Sequence, residues 1–334
     1  MDPKYFYYKL KWWFKEHTFL YSNIFNNEIE LNIDLPKEYQ NWVVHPCVRY
    51  IEQGINGYKW WMAVSPYPNF DTTKENILLF RGEPNSCDNQ SFPRNWSFVK
   101  EIAGTHKKGY NSDPNLYFDG SELWIIWREW ETENVPSVSP ICCIMNCKTS
   151  DGITFTEPTI IAHNKFHSHT FSSGDTCMCP CVIDYNNKIH LYGSMYIYEP
   201  ILKSIGLSIY EYNDTLHFFN PSKYQFKHIT SFDLWHFDLF KFKDKIFQVI
   251  TPQSGNAIYL GVSNNGIDFS YYHRPLYSYR WFLRRNYFYK ASTVIYNDSV
   301  LLFFPRKQKG NKVNIVVRTC SLNRFIKAFN TIHE

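Results

Sequence analysis

Hydrophobic and polar positions along this chain follow a pattern that returns five times. Each copy begins with a short polar or Pro-containing stretch and continues as an alternating strand. It then turns at Asn, Asp or Gly and runs back as an aromatic-rich strand. The first copy is His45-Pro-Cys-Val-Arg-Tyr with GINGYKWWMAVSPYP, and the second is Asp113-Pro-Asn-Leu-Tyr-Phe with DGSELWIIWREWE. The third is Cys179-Pro-Cys-Val-Ile-Asp-Tyr with NNKIHLYGSMYIYEP. The fourth is His236-Phe-Asp-Leu-Phe-Lys-Phe with KDKIFQVITPQSG, and the fifth is Lys290-Ala-Ser-Thr-Val-Ile-Tyr with NDSVLLFFPRKQ. Period-two or continuous apolar runs around pairs such as Asp119-Gly120 and Asn186-Asn187 predict β-hairpins.

The five starts lie 68, 66, 57 and 54 residues apart, room for a second hairpin in each unit. That hairpin leaves its own trace. Thr149-Ser-Asp-Gly-Ile-Thr-Phe155 and Val262-Ser-Asn-Asn-Gly-Ile-Asp-Phe269 are near copies, and Arg94-Asn-Trp-Ser-Phe98 is a shorter relative. Four-stranded units returning at this spacing predict propeller blades. The expected fold is all-β: a five-bladed β-propeller of four-stranded antiparallel blades around a central axis, one domain over residues 1–334. Residues 1–40 are expected to supply an arm and the strand that closes the ring. Residues 316–334 form a C-terminal segment that ends in a short helix or strand. A large β-sandwich would explain the hairpins but not their regular return.

Composition agrees with strands. Of 334 residues, 19% are aromatic, and aromatic residues favour pleated surfaces. The net charge of +4, with basic residues scattered, argues against nucleic acid as a partner. Nine cysteines show no paired CxxC spacing. They read as small buried residues, although Cys177, Cys179 and Cys181 would share one face of a strand. The N-terminus has no uninterrupted apolar core followed by a small-residue cleavage site, and no segment is apolar for long enough to span a bilayer. No signal peptide and no transmembrane segment are therefore expected, with a cytoplasmic or virion-associated location.

Propeller geometry turns the repeat into a site. The first residues of the innermost strands ring one mouth of the axis: His45, Asp113, Cys179, His236 and Lys290. Two residues on, facing the same way but deeper, come Cys47, Asn115, Cys181, Asp238 and Ser292. A flanking shell adds Ser65, Tyr67, Glu75, Asn76, Arg128, Glu129, Tyr196, Glu199, Gln253, Asn256 and Arg306. Trp235 and Tyr289 precede inner strands and offer stacking rings. Wet propeller channels carry polar residues without function, so the chemistry must be tested residue by residue. Sugar hydrolysis needs two carboxyl groups, and Asp113 with Glu75, Glu129 or Glu199 supplies such a pair. His45 is a further catalytic candidate. His45, His236 and Asp113, with Asp238 as a further donor, form a candidate set for a divalent metal, although no metal or other cofactor is required by the pattern. Lys290, Arg128 and Arg306 can clamp an anionic sugar. His163, His167 and His169 read as a polar loop beside the third blade.

Ser112-Asp113-Pro114-Asn-Leu-Tyr-Phe-Asp119-Gly120 resembles the second-blade motif of five-bladed glycoside hydrolases of the arabinanase, xylosidase and invertase type. The resemblance spans roughly residues 40–310. It implies a carbohydrate-active protein that holds an oligosaccharide or polysaccharide, such as a surface or capsular glycan, in an axial pocket. It also implies a base or nucleophile Asp where His45 stands, and an acid Glu where Cys177-Met178-Cys179-Pro180 stands. Only Asp113 matches by position. Either other carboxylates serve, or the protein is a non-catalytic glycan-binding propeller of a phage particle or polysaccharide-assembly system. A protein-interaction scaffold is the third reading, favoured if side chains plug the axial mouth.

Overall fold

The computed structural model describes residues 23–26, 28–39, 42–83, 92–104, 109–131, 142–164, 178–198, 203–221, 234–252, 255, 257–272, 274–278, 288–307 and 312–330. Two short strands open it, β1 (Ile29–Glu30) and β2 (Asn32–Ile33). Blade one is β3 (Val43–Ile55), β4 (Tyr58–Pro66), β5 (Ile77–Gly82) and β6 (Asn95–Ala103), with β2 added parallel to β6. Blade two is β7 (Gly109–Phe118), β8 (Leu123–Glu131), β9 (Cys142–Thr149) and β10 (Thr159–Asn164). Blade three is β11 (Met178–Tyr185), β12 (Lys188–Tyr198), β13 (Lys203–Asn213) and β14 (Phe218–Pro221). Blade four is β15 (His236–Phe242), β16 (Lys245–Thr251), β17 (Ala257–Ser263) and β18 (Phe269–Tyr271), with β19 (Tyr277–Ser278) also on β17. Blade five is β20 (Ser292–Tyr296), β21 (Ser299–Lys307) and β22 (Val313–Ser321), completed by β1 from the chain's other end. A helix, α1 (Leu322–Asn330), follows β22 and tucks Phe325 into the core.

Five antiparallel sheets in a ring make a five-bladed propeller, as the repeat predicts. The ring closes by β1 on β22, with Ile29 opposite Val317.

Each blade is covered by a neighbour on both faces. That is why the inner strands read as continuous apolar runs, such as Trp60-Trp-Met-Ala-Val64 and Val300-Leu-Leu-Phe-Phe304. Their odd and even positions enter different interfaces. Trp61 and Ala63 pack against Leu116, Ile125 and Trp127 of blade two, whereas Trp60, Met62 and Val64 pack against Leu301, Phe303 and Ile315 of blade five. The other three interfaces hold equivalent clusters.

The near-copied second hairpins lock blades together. Gly152 (φ 69°) and Gly266 (φ 71°) turn in the left-handed region. A Cβ on Gly152 would lie 2.5 Å from Trp61 Cη2 of blade one, so only glycine admits that contact. The Gly266 carbonyl accepts from the Tyr192 hydroxyl of blade three at 2.8 Å.

Candidate functional site at the mouth of the axis

The backbone itself presents the first residues of blades one to three. His45 (φ 53°), Asp113 (φ 56°) and Cys179 (φ 52°) all adopt the left-handed conformation, which is uncommon for residues with a Cβ. Each precedes a proline, which has no N–H to give to the ladder. Pairing with the next strand therefore skips, from Val44 to Cys47, from Ser112 to Asn115 and from Met178 to Cys181. A bulge of this kind redirects one side chain out of the sheet's alternation. His236 needs no bulge and pairs regularly with Thr251.

Asp113 is the centre of the mouth and is fully buried. His236 Nε2 lies 3.2 Å and His45 Nε2 3.6 Å from its Oδ1, and Arg128 Nη2 lies 3.1 Å from its Oδ2. Ser112 accepts from the same Arg128 nitrogen at 2.8 Å. Burial works against charge on Asp113, but Arg128 first, then His45 and His236, hold its carboxyl well below the usual range. Burial pushes both imidazoles down, against the pull of Asp113, so both rings are neutral at pH 7.

Glu75 stands beside this group and is 5% exposed. Burial and the Asp113 charge push its carboxyl up to about 8, opposed by Arg128 and a hydrogen bond with Ser112. One carboxyl is thus held ionised and its neighbour held protonated, the split that divides acid and base roles between two carboxyls.

The donor atoms of His45, Asp113 and His236 all lie within 4.8 Å of one another. Both Asp113 oxygens, both His45 nitrogens and His236 Nδ1 lack a hydrogen bond of good geometry. Buried polar atoms are rarely left so. Two neutral imidazoles and an ionised carboxylate, with lone pairs to spare, fit a divalent cation of the zinc type. Half-buried aromatics stand next to them. Trp235 packs on His236 at 4.1 Å between centroids, and Tyr289 lies 5.1 Å from His45 and 5.4 Å from Trp235. Tyr67 lies 5.8 Å from Tyr289.

The next layer down is the one that the two-residue offset predicts. Asn115 Nδ2 donates to Cys47 Sγ (3.5 Å) and Cys181 Sγ (3.3 Å), and its Oδ1 accepts from Val182 N. Asp238 accepts from Ser292 Oγ at 2.6 Å and from both terminal nitrogens of Arg49 at 2.9 and 2.6 Å. Arg49, two residues beyond Cys47 on the same strand face, was not anticipated; carrying the offset one step further would have found it. Side chains thus fill the axis beneath the mouth.

The sequence-derived candidates divide accordingly. His45, Asp113, His236, Arg128 and Glu75 come together, with Trp235 and Tyr289 alongside. Asp238 does not join the possible metal donors, because Arg49 holds it one layer deeper. Lys290 does not face the mouth as a clamp: it is fully buried and donates to the Pro114 carbonyl at 2.7 Å, tying blade five to the backbone beside Asp113. Cys179 exchanges contacts with the Phe237 backbone, and burial pushes its thiol up to about 12. Glu129 alternates with Arg128 along β8 and takes the opposite face of the blade. Arg306 pairs with Glu28 beside the closing strand. Glu199, Gln253, Asn256, Cys177, His167 and His169 lie outside the described residues, as do the side chains of Tyr196 and His163. A groove of about 430 Å³ lined by Asn32, Asn95, Trp96 and Asn314 on the flank of blade one shares no residue with this cluster.

No family model and no curated protein matches the chain. Solved structures do. An N-acetylgalactosamine deacetylase from F. plautii, in complex with blood group B trisaccharide, superposes with a TM-score of 0.66 at 12% identity, covering 92% of this chain and 98% of that one. Zg3597, a family 117 glycoside hydrolase of Zobellia galactanivorans, gives 0.62 at 13% identity over 91% and 92%. A GH43_1 enzyme of Xanthomonas citri gives 0.57 at 9% identity over 85% and 89%. The chain therefore has the five-bladed propeller fold of these carbohydrate-active enzymes.

Proposed function

We propose that this chain is a carbohydrate-active hydrolase that removes an acyl group from a sugar of a surface or capsular glycan held at the propeller mouth. The observation that carries the reading is the His45–Asp113–His236 group, with its donor atoms gathered and unspent. Three protein ligands with an open position are the arrangement of hydrolytic metal sites. A divalent cation held there would supply Lewis-acid polarisation of an acyl carbonyl and of the water that replaces the sugar nitrogen on it, the acyl group leaving as a carboxylate. The chain's own residues would do the rest. Arg128, itself held by Ser112, fixes the Asp113 carboxylate. Glu75, whose carboxyl burial and the Asp113 charge push up to about 8 in the metal-free protein, would give a proton to the departing nitrogen. Trp235, Tyr289 and Tyr67 offer ring faces to the sugar. The fold-neighbour that is an N-acetylgalactosamine deacetylase supports this choice of bond.

Glycosidic cleavage is the second reading, favoured by the Glu75–Asp113 pair and the glycoside hydrolase neighbours. The test incubates purified protein with N-acetylated oligosaccharides, with and without added zinc or manganese and with a chelator. Acetate release that the chelator abolishes and Asp113→Asn removes is the expected result. New reducing ends, insensitive to chelation, would transfer the function to the second reading. Saturable binding without either product would leave a glycan-binding module.

A further inference from the structure

The residue that meets a blade's start from across the ladder comes from the end of the second strand. In blade two it is Arg128, which pairs with Ser112 and holds the neighbouring Asp113 at 3.1 Å. The matching residue in blade one is Ser65, opposite Val44 and so beside His45. In blade four, which has no bulge at its start, it is Thr251, directly opposite His236. The carboxylate thus meets a guanidinium at this position, and each imidazole meets a hydroxyl. Both hydroxyl residues are followed by proline, as Ser65-Pro66 and Thr251-Pro252. Both are fully buried, and neither hydroxyl has a hydrogen-bond partner. Both His45 nitrogens and His236 Nδ1 are unpaired as well. Buried polar atoms left unpaired call for an account.

Directly opposite residues of an antiparallel pair share a face, with Cβ atoms roughly 5 Å apart. Thr251 therefore stands beside His236, on the face whose Phe240, Phe247 and Val249 pack against blade five. Ser65 follows Trp61 and Ala63 on the face toward blade two, the direction in which His45 Nε2 approaches Asp113. From this placement we infer that Ser65 and Thr251 are positioning residues, whose hydroxyls hold Nδ1 of His45 and His236 when a divalent cation takes the Nε2 lone pairs. The inference rests on the cation of the functional reading above. His236 turns Nε2 to the ionised Asp113 carboxylate at 3.2 Å, so without a cation that nitrogen carries the proton and Nδ1 keeps a lone pair. A cation needs the Nε2 lone pair, and the proton then belongs on Nδ1. A hydroxyl donates to Nδ1 in the first state and accepts from it in the second, whereas a carboxylate serves only the second. The hydroxyl thus lets the site load and unload without leaving a buried N–H unpaired.

The experiment is calorimetric zinc titration of the full chain and of Thr251→Val, Thr251→Ser and Ser65→Ala. Thr251→Val keeps the side chain's shape without its hydroxyl. It and Ser65→Ala are each expected to bind zinc about tenfold more weakly, the lower end for losing the outer partner of a metal-bound histidine, while Thr251→Ser stays close to wild type. Long-range proton–nitrogen spectra are expected to show the His236 proton on Nε2 without zinc and on Nδ1 with it, the signal being assigned by its loss in His236→Gln. Wild-type zinc affinity in Thr251→Val or Ser65→Ala overturns the assignment for that residue and leaves the functional reading standing. Equal weakening by Thr251→Val and Thr251→Ser overturns it for Thr251, by tracing the effect to packing. No zinc bound by the wild type overturns both the inference and the reading beneath it. Should Thr251→Val fail to fold, Thr251→Ala reads the same outcome.

Discussion

Asp238→Asn tests whether the layer beneath the mouth is a structural clasp. Asp238 is fully buried and accepts six hydrogen bonds: two from Arg49, one from Ser292 at 2.6 Å, one from the Cys181 thiol at 3.6 Å, and two from the backbone nitrogens of Leu239 (3.0 Å) and Thr293 (3.3 Å). The amide keeps the shape but removes the charge and turns a donor toward one Arg49 nitrogen. Breaking one side of a buried ion pair costs ~3–5 kcal/mol. Arg49 also donates to the carbonyls of Leu116 and Val48, both at 2.9 Å, so it is not stranded, and the lower end applies. The expected loss is about 3 kcal/mol, a large share of the 5–15 kcal/mol typical of folded proteins. Equilibrium urea unfolding with an unchanged m-value measures it. Arg49→Met/Asp238→Asn, which removes both charges and leaves an amide oxygen to accept from Ser292 and the backbone, is expected to lose less than the two single variants together, because no charge is left without its partner. The pH dependence has a fixed sign. Burial opposes charge on Asp238, but Arg49 holds its folded carboxyl below the unfolded value of 3.8. This stabilisation is present above that value and fades as pH falls through the folded pKa, so Asp238→Asn shallows the acid limb. A single variant within 1 kcal/mol of wild type, or a double variant that loses the sum of both singles, refutes the clasp.

Glu75→Gln is expected to flatten a neutral-pH slope in chelator-treated protein. Folded Glu75 keeps its proton to about 8 whereas the unfolded chain releases it near 4.5, so wild-type stability falls by about 2–3 kcal/mol between pH 5 and 7, read by urea midpoints. Gly152→Ala must hold φ at 69° and displace Trp61, and should cost about 3 kcal/mol. Gly57→Ala (φ 82°, nothing within 4 Å of the new Cβ) should cost only about 1 kcal/mol, both variants being read by urea midpoints. Lys290→Met removes the donor to Pro114, and calorimetric zinc titration should show weaker binding through loss of Asp113 placement; unchanged affinity would make Lys290 purely structural.

Repetition made the fold legible. Blade faces are buried on both sides, so each inner strand had to be written as an apolar run, and five such runs with polar starts survive however far their residues diverge. The same repeat made the axial layers legible, because residues equivalent in sequence are equivalent around an axis. It located Asp113 with both imidazoles, and Asn115 with Cys47, Cys181 and Asp238. Roles were less legible, because equivalent positions are filled from different sides. Lys290 occupies a first position, yet it reaches across to the Pro114 carbonyl and never meets the mouth. Glu75 and Glu129 look alike as acidic residues near second strands. Only the strand's alternation separates them, by sending Arg128 to Asp113 and Glu129 to the other face.

The X-Pro dipeptides at three blade starts carried a signal that strand reading undervalues. A proline in an innermost strand argues against regular pairing, and the residue before it is ordinarily held away from helical backbone angles. His45, Asp113 and Cys179 meet both restrictions in a third conformation, at positive φ. Backbone strain of this kind persists only where surrounding contacts over-determine it. Around Asp113 those contacts are Arg128, both imidazoles and the Lys290 strut on Pro114. Around Cys179, among the described residues, they are the Phe237 backbone atoms. The same bulge therefore presents a carboxylate to charged neighbours in blade two and a thiol to packing in blade three. What decides between them is the charge that neighbouring blades bring to the bulged residue, not the dipeptide that makes the bulge.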